Sequence, residues 1–480
     1  MTSVATNAFA WALEYLAEWE PDDLERRVAF DLWAGERGAE AATAPGTSGG
    51  VDSGKIAAAA EKLASGETTS VALVEEALAI AADHNERLVG FVELTAESAL
   101  ADAAALDAER AAGQLRGPMH GIPISVKDVI HVAGVTTRCG SDAYESLPEH
   151  DAWAVARMRD AGAVILGKVA THEFALGVTS PQSRNPHDPS RIPGGSSGGS
   201  AVAVSTGMGL GSICTDTRAS SRVPAALSGV VGMKPTYGTI PTKGVVPLAW
   251  TMDHVGVIAG TVADTATMFD ILRDLPPMAP GVEDGVEGLK IGLPKAAFDD
   301  IDPDVETSVR AAIEQLITAG AATIELDTPA ESDFTGANAG GLVTSRCEAA
   351  TFHKYIDTDR DLYWPEVRDQ LNAADDVSAT DYLQAQRYRA WLRERMVKVF
   401  EDVDALVMPT VPVLAPPVED ADDYLTILSR NAILWSFVGF PAISVPAAKA
   451  PSGLPIGVQV VCAPYAERTL IAVAAALETA

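Results

Sequence analysis

The sequence predicts an α/β protein: one large layered domain of sheet and helices, preceded by a short helical N-terminal extension. Three observations lead there. The 480 residues are 47% hydrophobic, enough for a large core. Helical and strand patterns alternate from about residue 55 onward, as they do where helices cover a sheet. No internal repeat and no second linker interrupts the alternation, so residues 51–480 are expected to form a single domain behind an extension over 1–50.

Residues 5–37, ATNAFAWALEYLAEWEPDDLERRVAFDLWAGER, read as two amphipathic helices broken near Pro21. The small, flexible stretch AATAPGTSGGVDSG then links them to the domain. Nothing in the extension carries chemistry, and it is expected to pack on the domain or form a homodimer contact, with shading of an active-site mouth as the alternative.

In GPMHGIPISVKDVI, Ile122, Ile124 and Val126 alternate with Pro123, Ser125 and Lys127. A half-buried strand results, with Lys127 on the face opposite the three apolar residues. A lysine beside such a strand is readily desolvated and then serves as a base. DAWAVARMRDAG follows as a helix capped by Asp151 and closed by Gly162, and AVILGK as a buried strand. LGSICT reads as a further strand. DYLQAQRYRAWLRERMVKVFED places Tyr388, Leu392, Met396 and Val399 at helical spacing ahead of the buried strand DALVMP. PAISVP and PIGVQVV add two short strands before a last helix, ERTLIAVAAALE.

Charge and cysteines exclude several functions. With 35 basic and 66 acidic residues the formal charge is −31, which repels phosphate backbones and anionic membrane surfaces. Nucleic acid and membrane partners are not expected. Cys139, Cys214, Cys347 and Cys462 lie far apart and form no CxxC pair, so neither a disulfide framework nor a zinc site is indicated. There is no signal-peptide pattern and no run of ~20 apolar residues. A soluble, cytoplasmic protein is expected.

The densest motif is IPGGSSGGSAVAV, residues 192–204. A phosphate loop would need Lys-Ser or Lys-Thr after the last glycine, but Ser200-Ala201-Val202 follow. Gly194-x-Ser196-x-Gly198 has the outline of a nucleophile elbow, which requires a later acid and then a histidine near the C-terminus. The last histidine, His353, is far from it. The elbow also leaves Lys127 unused, together with Ser220 in CTDTRASSRVPAAL, just past the LGSICT strand.

Taken together, GIPISVKD, AGAVILGK, NPHDPSRIPGGSSGGSAVAVSTG, TDTRASSRVPAALSGVVGMKPTYG and FPAISVP…GLPIGVQVV resemble the amidase signature family of hydrolases, in the family's order, over roughly residues 60–480. The resemblance implies a large mixed β-sheet covered by helices on both faces. It also implies that Lys127 is the catalytic lysine, Ser196 a serine held by a cis peptide bond, and Ser220 the nucleophile. Backbone N–H groups of Thr217, Arg218, Ala219 and Ser220 would then stabilise the oxyanion. Without a well-placed histidine, a neutral lysine activates a serine through a bridging hydroxyl, and no metal or organic cofactor is required. The expected substrate is a small amide, with carbamate, hydrazide or anilide equally compatible. The glutaminase subunit of a tRNA-dependent amidotransferase is the alternative, and a weakly active or inactive binding protein that keeps the fold is a third reading.

Secondary roles are assigned on the same basis. Ser197 is a supporting residue or a turn filler, and Asp216 and Arg222 brace the nucleophile loop. His172 lacks a second ligand at metal spacing and reads as a core histidine. Cys347, in SRCEAATF, is an inert buried thiol, with a place in the pocket wall as the alternative. One departure from the family stands out: Arg218 and Ala219 occupy the places of the two glycines usual before the nucleophile. If position 219 needed a positive φ, alanine would impair the loop. Arg218 is expected to brace the loop through an acidic neighbour, with binding of an anionic substrate group as the alternative.

Overall fold

The computed structural model describes residues 54–273, 281–356 and 359–478. The two N-terminal helices expected within 5–37 lie outside the described residues. The alternation expected after residue 55 is present as an eleven-stranded sheet among the described residues. In chain order its strands are β1 (Phe91–Leu94), β2 (Pro123–Lys127), β3 (Val164–Val169), β4 (Gly211–Asp216), β5 (Val231–Lys234) and β6 (His254–Ala259), followed by β7 (Lys290–Pro294), β8 (Ala322–Leu326), β9 (Ala405–Pro409), β10 (Ala442–Pro446) and β11 (Gly457–Val461). Their order in space is β1-β3-β2-β4-β6-β5-β10-β11-β9-β7-β8.

The sheet is mixed. β2 runs parallel to both β3 and β4, and β7 runs parallel to β8 and β9. Between these groups, β4, β6, β5, β10, β11 and β9 pair antiparallel in turn. Parallel neighbours need crossovers, and here helices supply them on both faces. Along β4, Ile213 joins the main core with Val262, Ala266 and Phe269 of the Val262–Leu272 helix. The next residue, Cys214, packs on the other face with Ala201 and Ala225, from the helices Gly198–Thr206 and Arg222–Ser228. Among the described residues no helix is long and apolar enough to cross a membrane.

Two local expectations need correction. β2 is not half-buried, because all five of its residues are buried. The Gly198–Thr206 helix packs on β2 as well, so the face that carries Lys127 is covered too. The Trp153–Asp160 helix starts from Ala152 without a side-chain cap. Asp151 instead accepts the Ala133 N–H at 2.7 Å and pairs with Arg159 at 3.1 Å, so tertiary partners take the carboxylate a cap would have used. Gly162 does close that helix, with φ +93° and its N–H on the Arg159 carbonyl. The last helix spans Glu467–Glu478 as expected, and Tyr388, Leu392 and Met396 form a buried stripe from which Val399 is partly exposed.

Candidate active site

The site forms where β2 and its parallel neighbour β4 both end. Lys127 is the last residue of β2, and Thr215 and Asp216 are the last two of β4. Across them runs the segment that leads into the Gly198–Thr206 helix, and its Gly195–Ser196 peptide bond is cis. Of the four glycines flanking the two serines, only Gly194 has a positive φ, +81°. The others answer mainly to crowding: a Cβ on Gly199 would stand 2.4 Å from the Ala170 nitrogen. Close approach, more than unusual backbone angles, therefore explains the glycine-serine run.

Lys127 is fully buried. Its Nζ lies 2.7 Å from Ser196 Oγ and 2.8 Å from Thr215 Oγ1. Burial lowers its pKa from 10.5 to about 8, and the more distant Cys214, Asp216 and Asp253 offset only part of the effect. Lys168, on neighbouring β3, gives the contrast. It is equally buried but sits 2.9 Å from the Asp128 carboxylate, so its charge is paired. Hydroxyl partners leave Lys127 free to be neutral.

Ser220 follows four residues after β4 and is almost wholly buried. With Ala175, Leu176, Gly177, Val178, Arg218 and Leu248 it lines a narrow cleft. Among the described residues its hydroxyl makes no hydrogen bond. The structure thus joins Lys127, Ser196 and Thr215 directly but gives Ser220 no hydrogen bond to Ser196. Catalytic hydrogen bonds often close only when substrate is bound. Ser197 Oγ donates to the Thr215 carbonyl at 3.2 Å, which ties the serine segment to β4.

The loop from Thr217 to Ser220 has two notable properties. Among the described residues, none of its four backbone N–H groups has an acceptor. Ala219 is also outside the positive-φ residues; its methyl is fully buried against Val223 and Val178. Alanine therefore fits this loop without the backbone penalty considered from the sequence. Asp216 anchors the loop from below. It receives Arg222 Nε at 3.0 Å and Nη2 at 3.1 Å, Ser221 Oγ at 2.8 Å and Ser436 Oγ at 2.9 Å. Burial alone would raise this carboxyl, but the Arg222 guanidinium holds it well below the usual range. Thr217 Oγ1 donates to Asp253 at 2.6 Å, and Asp253 also accepts the N–H groups of Leu248 and Ala249. Burial raises the Asp253 pKa to about 6.

Arg218 departs from expectation. Its Nη2 donates to Asn338 Oδ1 at 2.9 Å, and among the described residues no acidic neighbour braces it. Burial and the charge of Arg346 lower its pKa to about 10. His172 is a buried histidine whose Nε2 lies 3.4 Å from Glu366 and whose ring packs on Trp364. Cys347 is half-buried, and burial raises its thiol pKa. Sequence reasoning passed over Thr215, Asp253, Asn338 and Arg346. Thr215 stood inside the TDT motif, and placing β4 beside β2 would have revealed it. Asn338 and Arg346 lie on the Glu331–Tyr355 helix, and Asn338 is 120 residues from its partner Arg218, with no motif to mark it.

Comparison with known proteins places this geometry in a family. Residues 72–471 match the family model described as Amidase. The chain is 36% identical to an amidase of Pseudomonas putida over 83% of this chain and 90% of that one. It is 35% identical to a glutamyl-tRNA(Gln) amidotransferase subunit of Roseiflexus sp. (strain RS-1), over 86% and 93% of the two chains. A solved amidase crystal structure superposes with a TM-score of 0.81 at 36% identity, covering 88% of this chain and 98% of that one. The chain belongs to the amidase family, hydrolases of the amide C–N bond.

Proposed function

We propose that the protein hydrolyses a small amide or carbamate through an acyl-enzyme on Ser220, with Ser196 and Lys127 as its proton path. The observation that carries this reading is the buried Lys127 Nζ, 2.7 Å from Ser196 Oγ and, among the described residues, bonded otherwise only to a threonine hydroxyl. Neutral Lys127 donates one N–H to Thr215 Oγ1, and that bond turns its lone pair toward the Ser196 proton. Substrate brings Ser220 Oγ into reach of Ser196. As Ser220 attacks the carbonyl carbon, its proton passes to Ser196 Oγ while the Ser196 proton passes to Lys127. The carbonyl oxygen becomes an oxyanion, for which the acceptor-free N–H groups of Thr217 to Ser220 are suitable donors. The C–N bond then breaks, and the proton returns through Ser196 to the departing nitrogen. Water attacks the Ser220 ester by the same path in reverse, releases the acid and restores the Ser220 hydroxyl.

The same reading takes residues 51–480 as one catalytic domain of a cytoplasmic enzyme and leaves a homodimer contact to the N-terminal extension. A fluorophosphonate is expected to label Ser220, and Ser220→Ala to abolish turnover with an unchanged melting temperature. Peptide mapping decides the first point. Labelling of Ser196 with Ser220 untouched would overturn the scheme.

The similarity to a subunit of glutamyl-tRNA(Gln) amidotransferase favours a second reading, in which the ammonia released from glutamine serves another protein of a complex. Glutaminase activity in a native complex larger than the chain or its dimer would establish it.

A further inference from the structure

We infer that Arg218 and Arg346, with Asn338 holding the first of them, form an anion subsite beside Ser220 that selects amides carrying a carboxylate. This rests on the reading of Ser220 as nucleophile. Placement comes first. Arg218 stands two residues before Ser220 and lines the same cleft. Both side chains line that cleft, so an amide held at Ser220 and an anion on the Arg218 guanidinium would share one pocket.

The hydrogen-bond inventory points the same way. Arg218 gives one bond to Asn338 Oδ1, and its Nε is buried with no partner. Arg346 Nε is likewise buried without a partner, and among the described residues Arg346 makes no hydrogen bond or ion pair. Among the described residues Arg110 and Arg273 also have a buried Nε without a partner, but each has a carboxylate nearby, Asp107 at 3.6 Å and Asp270 at 3.9 Å. The more deeply buried Arg222 and Arg389 are satisfied. Arg222 holds Asp216, Gln459 and Ser436, and Arg389 donates to the carbonyls of Phe437 and Thr251.

Charge makes the contrast sharper. The chain has 66 acidic against 35 basic residues, yet no carboxylate faces this pair of cations among the described residues. The charge of Arg346 acts on Arg218, and both guanidiniums lose hydration with only the Asn338 amide in return. A purely structural arginine at either position would be expected to find one of the abundant acids. A ligand carboxylate supplies what is missing, since its two oxygens match the planar fork of a guanidinium. Asn338, an amide, positions Arg218 without neutralising it, so the full charge remains for the ligand.

The test uses the full chain and two amides of equal carbon count, succinamate and butyramide, in which a terminal carboxylate replaces a methyl. Succinamate is expected to exceed butyramide in kcat/KM by about 10- to 100-fold, the range of a charge-assisted bidentate contact. That ratio should collapse in Arg346→Gln and Arg218→Gln, chiefly through KM, and recover in part in Arg346→Lys. Binding is read separately. Succinate should raise the melting temperature of the parent but not that of Arg346→Gln, while chloride or phosphate at equal ionic strength should do neither. Equal turnover of the two amides by the parent, or no response of the parent to succinate, would overturn the subsite while leaving Ser220 chemistry intact. Succinate binding by a parent that hydrolyses no amide and takes no label on Ser220 would keep the subsite and overturn the nucleophile.

Discussion

Lys127 makes the pH profile a quantitative test of the proton path. Burial lowers its pKa from 10.5 to about 8. At pH 7 about a tenth of the molecules then carry the neutral base, against roughly three in ten thousand for an ordinary lysine. The environment is therefore worth about 300-fold in active species at neutral pH. The expected kcat/KM rises about tenfold per pH unit below pH 7, bends near pH 8 and levels above pH 9. Ammonia or amine release across pH 6 to 10, with folding checked at each point, measures it. A companion variant separates base from scaffold. The unfolded chain holds the lysine proton more tightly than the folded one between about pH 8 and 10.5. Stability from the neutral form is thus fully present above pH 10.5 and lost as pH falls through about 8. Lys127→Met removes a penalty of up to about 3 kcal/mol at pH 7 and gives up two hydrogen bonds worth about 1 kcal/mol each. The variant should be inactive yet about 1 kcal/mol more stable at pH 7. A flat profile from pH 6 to 9, or an inflection that survives Lys127→Met, would refute the assignment of the base.

Two further outcomes follow from the nucleophile loop. Arg222→Ala leaves the Asp216 carboxylate buried without its cation and should cost about 3–5 kcal/mol, read by urea unfolding; a cost below about 1 kcal/mol would show that the hydroxyls of Ser221 and Ser436 suffice. Ala219→Gly should change kcat less than about threefold and lower stability by about 1 kcal/mol through the lost buried methyl and a freer unfolded chain. A tenfold gain in kcat would mean that the natural loop is impaired.

The residues proposed for the chemistry were more legible in the sequence than the pocket around them. Lys127 stood out because strand alternation isolated it, and Ser196 and Ser220 because short-range motifs surround them. The whole of the last helix and the burial stripe of Tyr388, Leu392 and Met396 were equally plain, since both follow from local periodicity. What escaped depends on contacts distant in sequence. Asp151 looks like a helix cap until Ala133 and Arg159 claim it. β2 alternates like a half-buried strand, yet a helix some seventy residues later buries its second face. Arg218 was expected to meet an acid, and its actual neighbours, Asn338 and Arg346, lie on a helix that no local pattern links to the loop.

That helix also divides the labour of the molecule. Of the groups proposed for bond breaking, Lys127 ends β2 and Ser220 follows β4, adjoining interior strands of a continuous sheet, where any shift would have to pass through packed neighbours on both sides. Asn338 and Arg346 come instead from a separate element, Glu331–Tyr355, laid beside the cleft. Changes along that helix can alter which molecules are accepted while the reactive groups stay where the strands put them. In such a layout one reaction can be inherited unchanged through many specificities, and directed evolution toward new substrates should begin with this helix.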